Sequence, residues 1–356
     1  MSGEEIIIDG SFGEGGGQIL RTSTGLAAAL WQGTDGRELR VVNIRAGRPK
    51  PGLRVQHVAA VNAAAEVAAA GIEGARLDSR ELSFRPAGSR AGTYRFEIPT
   101  AGSAMLVLQT ILPALITADG DSEVLISGGT HNPFAPCFQY VRDVFCTLAE
   151  AANVSVALTL ERVGFYPAGG GRIRCQVRGV GSPEHVGPLR LLTRGELRRI
   201  EALSAAADTL PEHIVQRQAR RVQERLEGAG LPAEVQSARW PADCGGTVVF
   251  LRAVFSHGLA GFSALGRRGK PAERVADEAV DELLAFLDAD GAVDPHAADQ
   301  LITILALCPR ASQLTTTRIT NHLLTNAEVI RQITGRQVTV EGELDRPGKV
   351  ILDRTP

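Results

Sequence analysis

The sequence predicts an α+β fold: three repeats of a βαβαββ unit forming one large domain, with a smaller α+β domain inserted before the third repeat. Three observations predict it. Strand-type and helix-type periodicities alternate in the same order three times along the chain. A long stretch between the second and third copies falls outside that period. Finally, 356 residues with 44% hydrophobic content are enough to bury a sizeable core.

The first copy opens on Ile6-Ile7-Ile8, a short apolar run that reads as a strand. Helices are predicted over 18–31 and 53–70, a strand over 39–44, and a hairpin-like strand pair over 81–86 and 93–98. The second copy has helices over 103–118 and 136–152, with strands over 123–127, 154–159 and 171–177. The third has helices over 296–308 and 323–334, with strands over 313–319, 337–343 and 349–353. The surplus, 186–287, holds an exposed Arg-rich helix over 211–227, strands over 247–254 and 261–265, and a helix over 271–287 headed by Pro271. The large domain is therefore assigned to 1–185 and 288–356, and the inserted domain to 186–287.

Composition narrows the class. The polar start, Met1 to Glu5, carries no secretory signal, and no apolar run is long enough for a membrane span. Five cysteines without C-x-x-C spacing argue against both a disulfide framework and a zinc site. A cytoplasmic location follows as the expectation. The net charge of −2 requires any nucleic-acid contact to come from a local patch. Lys50, Lys270 and Lys349 are the only lysines, so arginine supplies nearly all the positive charge. The sequence carries no signal for an oligomeric state.

The candidate chemistry begins between the first strand and the first helix, at Asp9-Gly10-Ser11-Phe12-Gly13-Glu14-Gly15-Gly16-Gly17-Gln18-Ile19-Leu20-Arg21. Glycines permit positive φ and close approach, and the unpaired N–H groups of a helix start favour an anion. The loop matches neither a P-loop nor a G-x-G-x-x-G fingerprint. Glu14 among such N–H groups makes sense where a cation, most simply Mg²⁺, lies between it and a phosphate.

Further polar segments precede the second helix of each copy. In the first, Arg45, Arg48, Lys50 and Arg54 sit on a segment stiffened by Pro49 and Pro51, which suits a polyanion. In the second, Gly128 to Pro136 includes Pro133 and His131, the latter read as polar surface or a ligand contact. Gln109 lies among apolar helix neighbours and needs either a core partner or a ligand. In the third, His322 stands where a strand hands over to a helix, as a candidate nucleophile or general base. His296, Ala297, Ala298, Asp299 and Gln300 begin the other helix of that copy.

Five motifs then carry a resemblance: Gly13 to Arg21, Arg45 to Leu53, Gly164-Phe165-Tyr166-Pro167-Ala168-Gly169-Gly170-Gly171, Asp299-Gln300-Leu301 and His322-Leu323-Leu324-Thr325-Asn326. In this order and over essentially the whole length, the chain resembles the RNA 3′-terminal phosphate cyclase family. The resemblance implies three βαβαββ units with an inserted domain, and ATP-dependent conversion of an RNA 3′-phosphate to a 2′,3′-cyclic phosphate with release of AMP and pyrophosphate. It implies His322 as the nucleophile that carries AMP. Gln109, Pro133 and the segment His296, Ala297, Ala298, Asp299 and Gln300 match adenylate-binding positions. Glu14 matches a position near the triphosphate and a divalent metal, Mg²⁺ or Mn²⁺. Arg21, Arg45, Arg48, Lys50 and Arg54 are the candidates for the RNA phosphate.

Pro295 and Gln139 depart from the acidic residues usual at those positions. The rival reading is a non-catalytic relative acting as an RNA-binding or ribosomal RNA maturation factor, against which His322, Glu14 and Asp299-Gln300 argue. A kinase is set aside for want of a P-loop lysine.

Overall fold

The computed structural model describes residues 4–355, so Met1 to Gly3 of the polar start lie outside the described residues. Four four-stranded sheets carry the fold. In the first, β1 (Glu5–Asp9) runs parallel to β2 (Glu38–Val42), which pairs antiparallel with β4 (Leu82–Arg85), itself antiparallel to β3 (Gly71–Glu73). The second repeats that pattern with β5 (Thr93–Glu97), β6 (Ser122–Gly128), β8 (Gly171–Val177) and β7 (Val156–Arg162). The third repeats it with β9 (Arg190–Leu191), β14 (Ser312–Thr316), β16 (Gly348–Leu352) and β15 (Val338–Glu341). The fourth sheet orders β11 (Ala233–Trp240), β10 (Leu197–Ala207), β12 (Thr247–Phe255) and β13 (Leu259–Leu265).

One predicted pairing is corrected. The strand over 93–98 does not form a hairpin with 81–86; β5 pairs in parallel with β6. The partner of β4 in the first sheet is instead β3, a three-residue strand too short to leave a periodicity. A second short strand, β9, falls inside the stretch assigned to the surplus, yet it pairs with β14.

Helices α1 (Gly17–Leu30), α2 (Val55–Val67) and α3 (Ala104–Thr117) belong to the first two sheets, with α4 (Phe138–Tyr140) and α5 (Cys146–Glu150) joined by a π-helical turn at Val141–Phe145. Helices α6 (Glu212–Gly228) and α7 (Ala272–Asp288) cover the fourth sheet, and α8 (Pro295–Leu305) and α9 (Asn321–Thr334) the third. Helix α1 packs against α2, α3 and α9 and is buried nearly all round. Small residues make that possible. At Gly25 an added Cβ would come within 2.6 Å of the Thr110 carbonyl oxygen of α3.

Two main cores result. One joins the first three sheets through residues such as Ile8, Leu39, Met105, Val124, Leu301 and Leu314. The other lies between the fourth sheet and its helices, around Val222, Leu251, Val280 and Phe286. The Arg-rich helix α6 is not a free solvated face. Arg217 pairs with Glu273 at 2.6 Å, Arg221 with Asp277 at 2.8 Å and Arg225 with Asp281 at 2.7 Å, all carboxylates of α7. Arg220 stays on the exposed side, 3.7 Å from Glu224.

Candidate active site

The packing of α1 against α9 brings two chain regions together that are three hundred residues apart, and a cleft of about 640 Å³ opens where their N-termini meet. Thr320 caps α9, its hydroxyl accepting from Leu323 N at 3.1 Å, so His322 stands in the first turn. The glycine loop lies against that turn because Gly13 adopts φ +54 and carries no Cβ; one there would collide with Thr325 Oγ1. Thr325 Oγ1 in turn accepts from Glu14 N at 3.3 Å.

Glu14 and His322 therefore face each other. His322 Nδ1 lies 2.7 Å from Glu14 Oε2, and the same nitrogen meets Gln18 Oε1 in a short contact. Gln18 Nε2 donates to the His322 carbonyl at 3.3 Å. The Glu14 contact is an ion-pair approach and not an aligned hydrogen bond, so Oε2 stays buried with no donor aligned on it. Arg48 Nη2 holds the other oxygen, Oε1, at 2.8 Å. His322 Nε2 has no hydrogen-bond partner among the described residues. With Nδ1 facing two acceptors, the proton belongs there and the Nε2 lone pair is free.

The electrostatics follow from this geometry. Contact with Glu14 raises the His322 pKa above its ordinary value, against the opposing effect of burial. The same contact lowers that of Glu14. Asp299, buried at the start of α8, is pushed up to about 7 by loss of solvent, though His322 and Arg21 pull it back. Arg21 is drawn down to about 10 by removal from water and makes no ion pair among the described residues.

The other predicted residues divide. Gln109 of α3 donates to Gln300 Oε1 at 2.7 Å, and both line the cleft with His296 and Asp299. Arg45, Arg48 and Arg54 line it as well. Arg45 is partly occupied with its own loop, donating to the carbonyls of Lys50 and Gly52 at 2.8 Å each. Arg54 pairs with Asp78. Lys50 is exposed and outside the lining. Ala297 and Ala298 are buried in the core of α8, and Pro133 lines an adjoining groove.

His131 is corrected outright: it is neither surface nor cleft. Its ring is buried between Phe165 and Trp240, with Nδ1 2.8 Å from Thr130 Oγ1 and Nε2 2.7 Å from Gln139 Oε1. Gln139, a departure in the sequence, is thus the partner of that histidine.

Sequence reasoning missed several residues of the site. His57 is buried beside the start of α1, its Nδ1 accepting from Arg54 N at 3.0 Å, and burial holds its pKa down at about 3. It is a neutral donor in an arginine-lined wall; only its closeness to the basic segment could have signalled this. Asp294 caps α8 by accepting from His296 N at 3.0 Å and Ala297 N at 2.9 Å, and also accepts from Tyr140 Oη at 2.7 Å. The Asp-Pro sequence of Asp294-Pro295 is a readable cap-then-first-turn signal.

The profile of the family described as RNA 3′-terminal phosphate cyclase matches residues 12–340. The chain belongs to that family. The RNA 3′-terminal phosphate cyclase of Methylococcus capsulatus is 45% identical over 91% of this chain and 89% of its own length. That of Trichormus variabilis is 40% identical over 98% and 100%, and that of Hyperthermus butylicus 44% identical over 92% and 91%. The cyclase relatives are enzymes, and the matched span includes both Glu14 and His322. Among the described residues no helix is long and apolar enough to cross a membrane, and no group of three or more His, Cys, Asp or Glu is placed to hold a metal.

Proposed function

We propose that the chain is an ATP-dependent RNA 3′-terminal phosphate cyclase acting through a covalent histidine–AMP intermediate. The observation that carries this reading is His322 in the cleft, its Nδ1 held by Glu14 and Gln18 and its Nε2 free. In the first step Nε2 attacks the α-phosphorus of ATP, forming a P–N bond as the P–O bond to pyrophosphate breaks. Glu14 stabilises the positive charge that the ring acquires as Nε2 bonds to the α-phosphorus. An oxygen of the RNA 3′-phosphate then displaces His322 from AMP, and the adjacent ribose O2′ attacks the RNA phosphorus and expels AMP. That last step is intramolecular, so holding the ribose and phosphate in place supplies much of the acceleration.

Gln109, Gln300, Asp299 and His296 are read as the adenylate side of the cleft, with Pro133 at its rim. Arg21, Arg45, Arg48 and Arg54 are read as the side for the RNA phosphate; Lys50 would act only on a strand passing outside the cleft. Glu14 Oε2, which carries no aligned hydrogen bond beside its approach to His322, suits a hard divalent cation, since Mg²⁺ commonly takes one or two carboxylates and completes its shell with phosphate oxygens and water. Such a cation, when bound, would offset the charge of the departing pyrophosphate.

The pairing pattern shared by the first three sheets supports three βαβαββ units in one large domain, and the separate core around Leu251 and Val280 supports an inserted module. A cytoplasmic setting completes the reading.

The test uses ATP labelled at the α-phosphate. The wild-type protein should take up label with Mg²⁺ or Mn²⁺ and lose it to a 3′-phosphorylated oligoribonucleotide. Label uptake by His322→Ala equal to wild type would overturn the assignment.

A further inference from the structure

The loop between β6 and α4 holds an aromatic side chain in an unusual position. Phe134 is fully exposed, and its backbone takes φ +62, a left-handed conformation disfavoured for a bulky residue. The loop around it is firmly anchored. Phe138 N donates to the Thr130 carbonyl at 3.1 Å, His131 N to the Gly164 carbonyl at 3.1 Å, and Asn132 Nδ2 to the Ala101 carbonyl. A rigid loop thus presents an apolar ring to water, and no other side chain covers it.

Phe134 lines the candidate active-site cleft and also a second groove that leads away from it along Ser263, Ala264 and Leu265 toward α7. Beyond that groove the loop before α7 presents Arg267 and Arg268, both exposed and without an ion pair among the described residues. Lys270 and Arg274 nearby are already paired with Glu278. The groove between ring and arginines is lined by carboxylates, of which Glu278 and Asp281 are paired while Glu282 makes no ion pair among the described residues. A phosphate is disfavoured beside Glu282, whereas the amino edge of a base is welcome there.

We propose that Phe134 is a stacking platform for a nucleobase of the RNA strand near its 3′ end, and that Arg267 and Arg268 take backbone phosphates further along the strand. Stacking tolerates every base because each has a π-face, and exposed aromatics beside a cationic stretch are the usual means of holding single strands. The ring is fully exposed where the cleft meets the groove, whereas Gln109, Gln300 and His296 line the cleft and not the groove, which favours a base arriving from solvent over the adenine of ATP. The module carrying Arg267 and Arg268 would then serve to grip the strand. This inference rests on the RNA cyclase reading above.

The experiment measures transfer of AMP from the pre-adenylylated protein to an oligoribonucleotide 3′-phosphate bearing 2-aminopurine as its 3′-terminal base, along with quenching of that base on binding. Phe134→Ala should raise the half-saturating RNA concentration about tenfold and abolish the quenching, with the rate of self-adenylylation unchanged. Phe134→Trp should restore both. Replacing Arg267 and Arg268 by Ala should weaken the oligonucleotide, lower its salt dependence by a slope of about 1.4 and leave a nucleoside 3′-phosphate unaffected. Unchanged RNA half-saturation in Phe134→Ala, or a parallel loss of self-adenylylation, would overturn the proposal. A wild-type protein that never adenylylates itself would count against the parent reading alone, because the quenching assay still reports on the platform.

Discussion

At the scale of single residues, the Glu14–His322 pair has a consequence for pH. Contact with the carboxylate raises the His322 pKa above its ordinary 6.5, and attack on phosphorus needs the neutral ring. The rate of self-adenylylation should therefore rise with pH through a midpoint above 6.5. In Glu14→Gln the imidazolium loses its partner, so that midpoint should move to lower pH; a pH–rate profile of label uptake measures the shift. An unmoved midpoint would mean that Glu14 does not set the charge of His322. Asp299 gives a stability counterpart. Burial raises its pKa from 3.8 to about 7, so folding favours the protonated acid. Its contribution is complete below the unfolded value and lost as pH climbs through about 7. Asp299→Asn should gain stability relative to wild type across that window, read as a growing difference in urea midpoint.

Elements explain why these residues meet. Helix α1 is buried on almost every side, and its small residues let α3 and α9 approach. Gly25→Ala should destabilise the fold by about 2 kcal/mol despite the better helix propensity of alanine, because its Cβ would press on a backbone carbonyl that cannot retreat. Chemical denaturation measures this, and a stabilised variant would show the packing to be looser than described. At the other end of α9, Gly335 ends the helix at φ +68 and Arg336 turns inward. The Arg336 guanidinium is fully buried, donating to the carbonyls of Leu305 at 2.8 Å, Cys308 at 2.6 Å and Arg310 at 2.5 Å. Arg336→Ala should lower stability by about 3 kcal/mol, since it leaves several buried acceptors without donors. Nothing in the sequence separates this arginine from the many on the surface. Hydrogen-bond partners drawn from two segments distant in the chain, 305–310 and 352–353, carry no periodic signal.

Over the whole molecule, the chain passes between the fourth sheet and the rest twice, once after β9 and once after α7, and Phe250 and Leu259 of that sheet also pack into the larger core. Arg194 ties the two crossings together. Its Nη1 donates to the carbonyls of Phe286 at 2.8 Å and Ala289 at 2.9 Å, its Nη2 to that of Leu287 at 2.9 Å, and its guanidinium lies 4.5 Å from the Phe286 ring centre. Arg194→Ala should let the part around β10 to α7 unfold separately, appearing as a second calorimetric transition or early loss of amide protection in α7. A single unchanged transition would show that the core contacts suffice without this clasp. The cysteines add nothing covalent: all five are free, four of them are buried, and burial pushes the Cys146 thiol up to about 12.

The sequence by itself determined the α+β class, the long elements, and the five motifs that carry the family resemblance. These are legible because helix and strand periodicities, caps and glycine spacing are local properties of the chain. It also named much of the charged and polar lining of the cleft: Glu14, Arg21, Arg45, Arg48, Arg54, Gln109, His296, Asp299, Gln300 and His322 all line it. Only the tertiary structure decided which sheet β5 joins and that β3 and β9 exist, because pairing is a long-range choice and short strands leave no period. Only it buried His131, placed Lys50 outside the cleft and turned Arg217, Arg221 and Arg225 of α6 toward α7. Burial and pairing depend on what the rest of the chain brings alongside a residue. The neutral donor His57, the clasp Arg194 and the exposed ring of Phe134 emerge from that same juxtaposition.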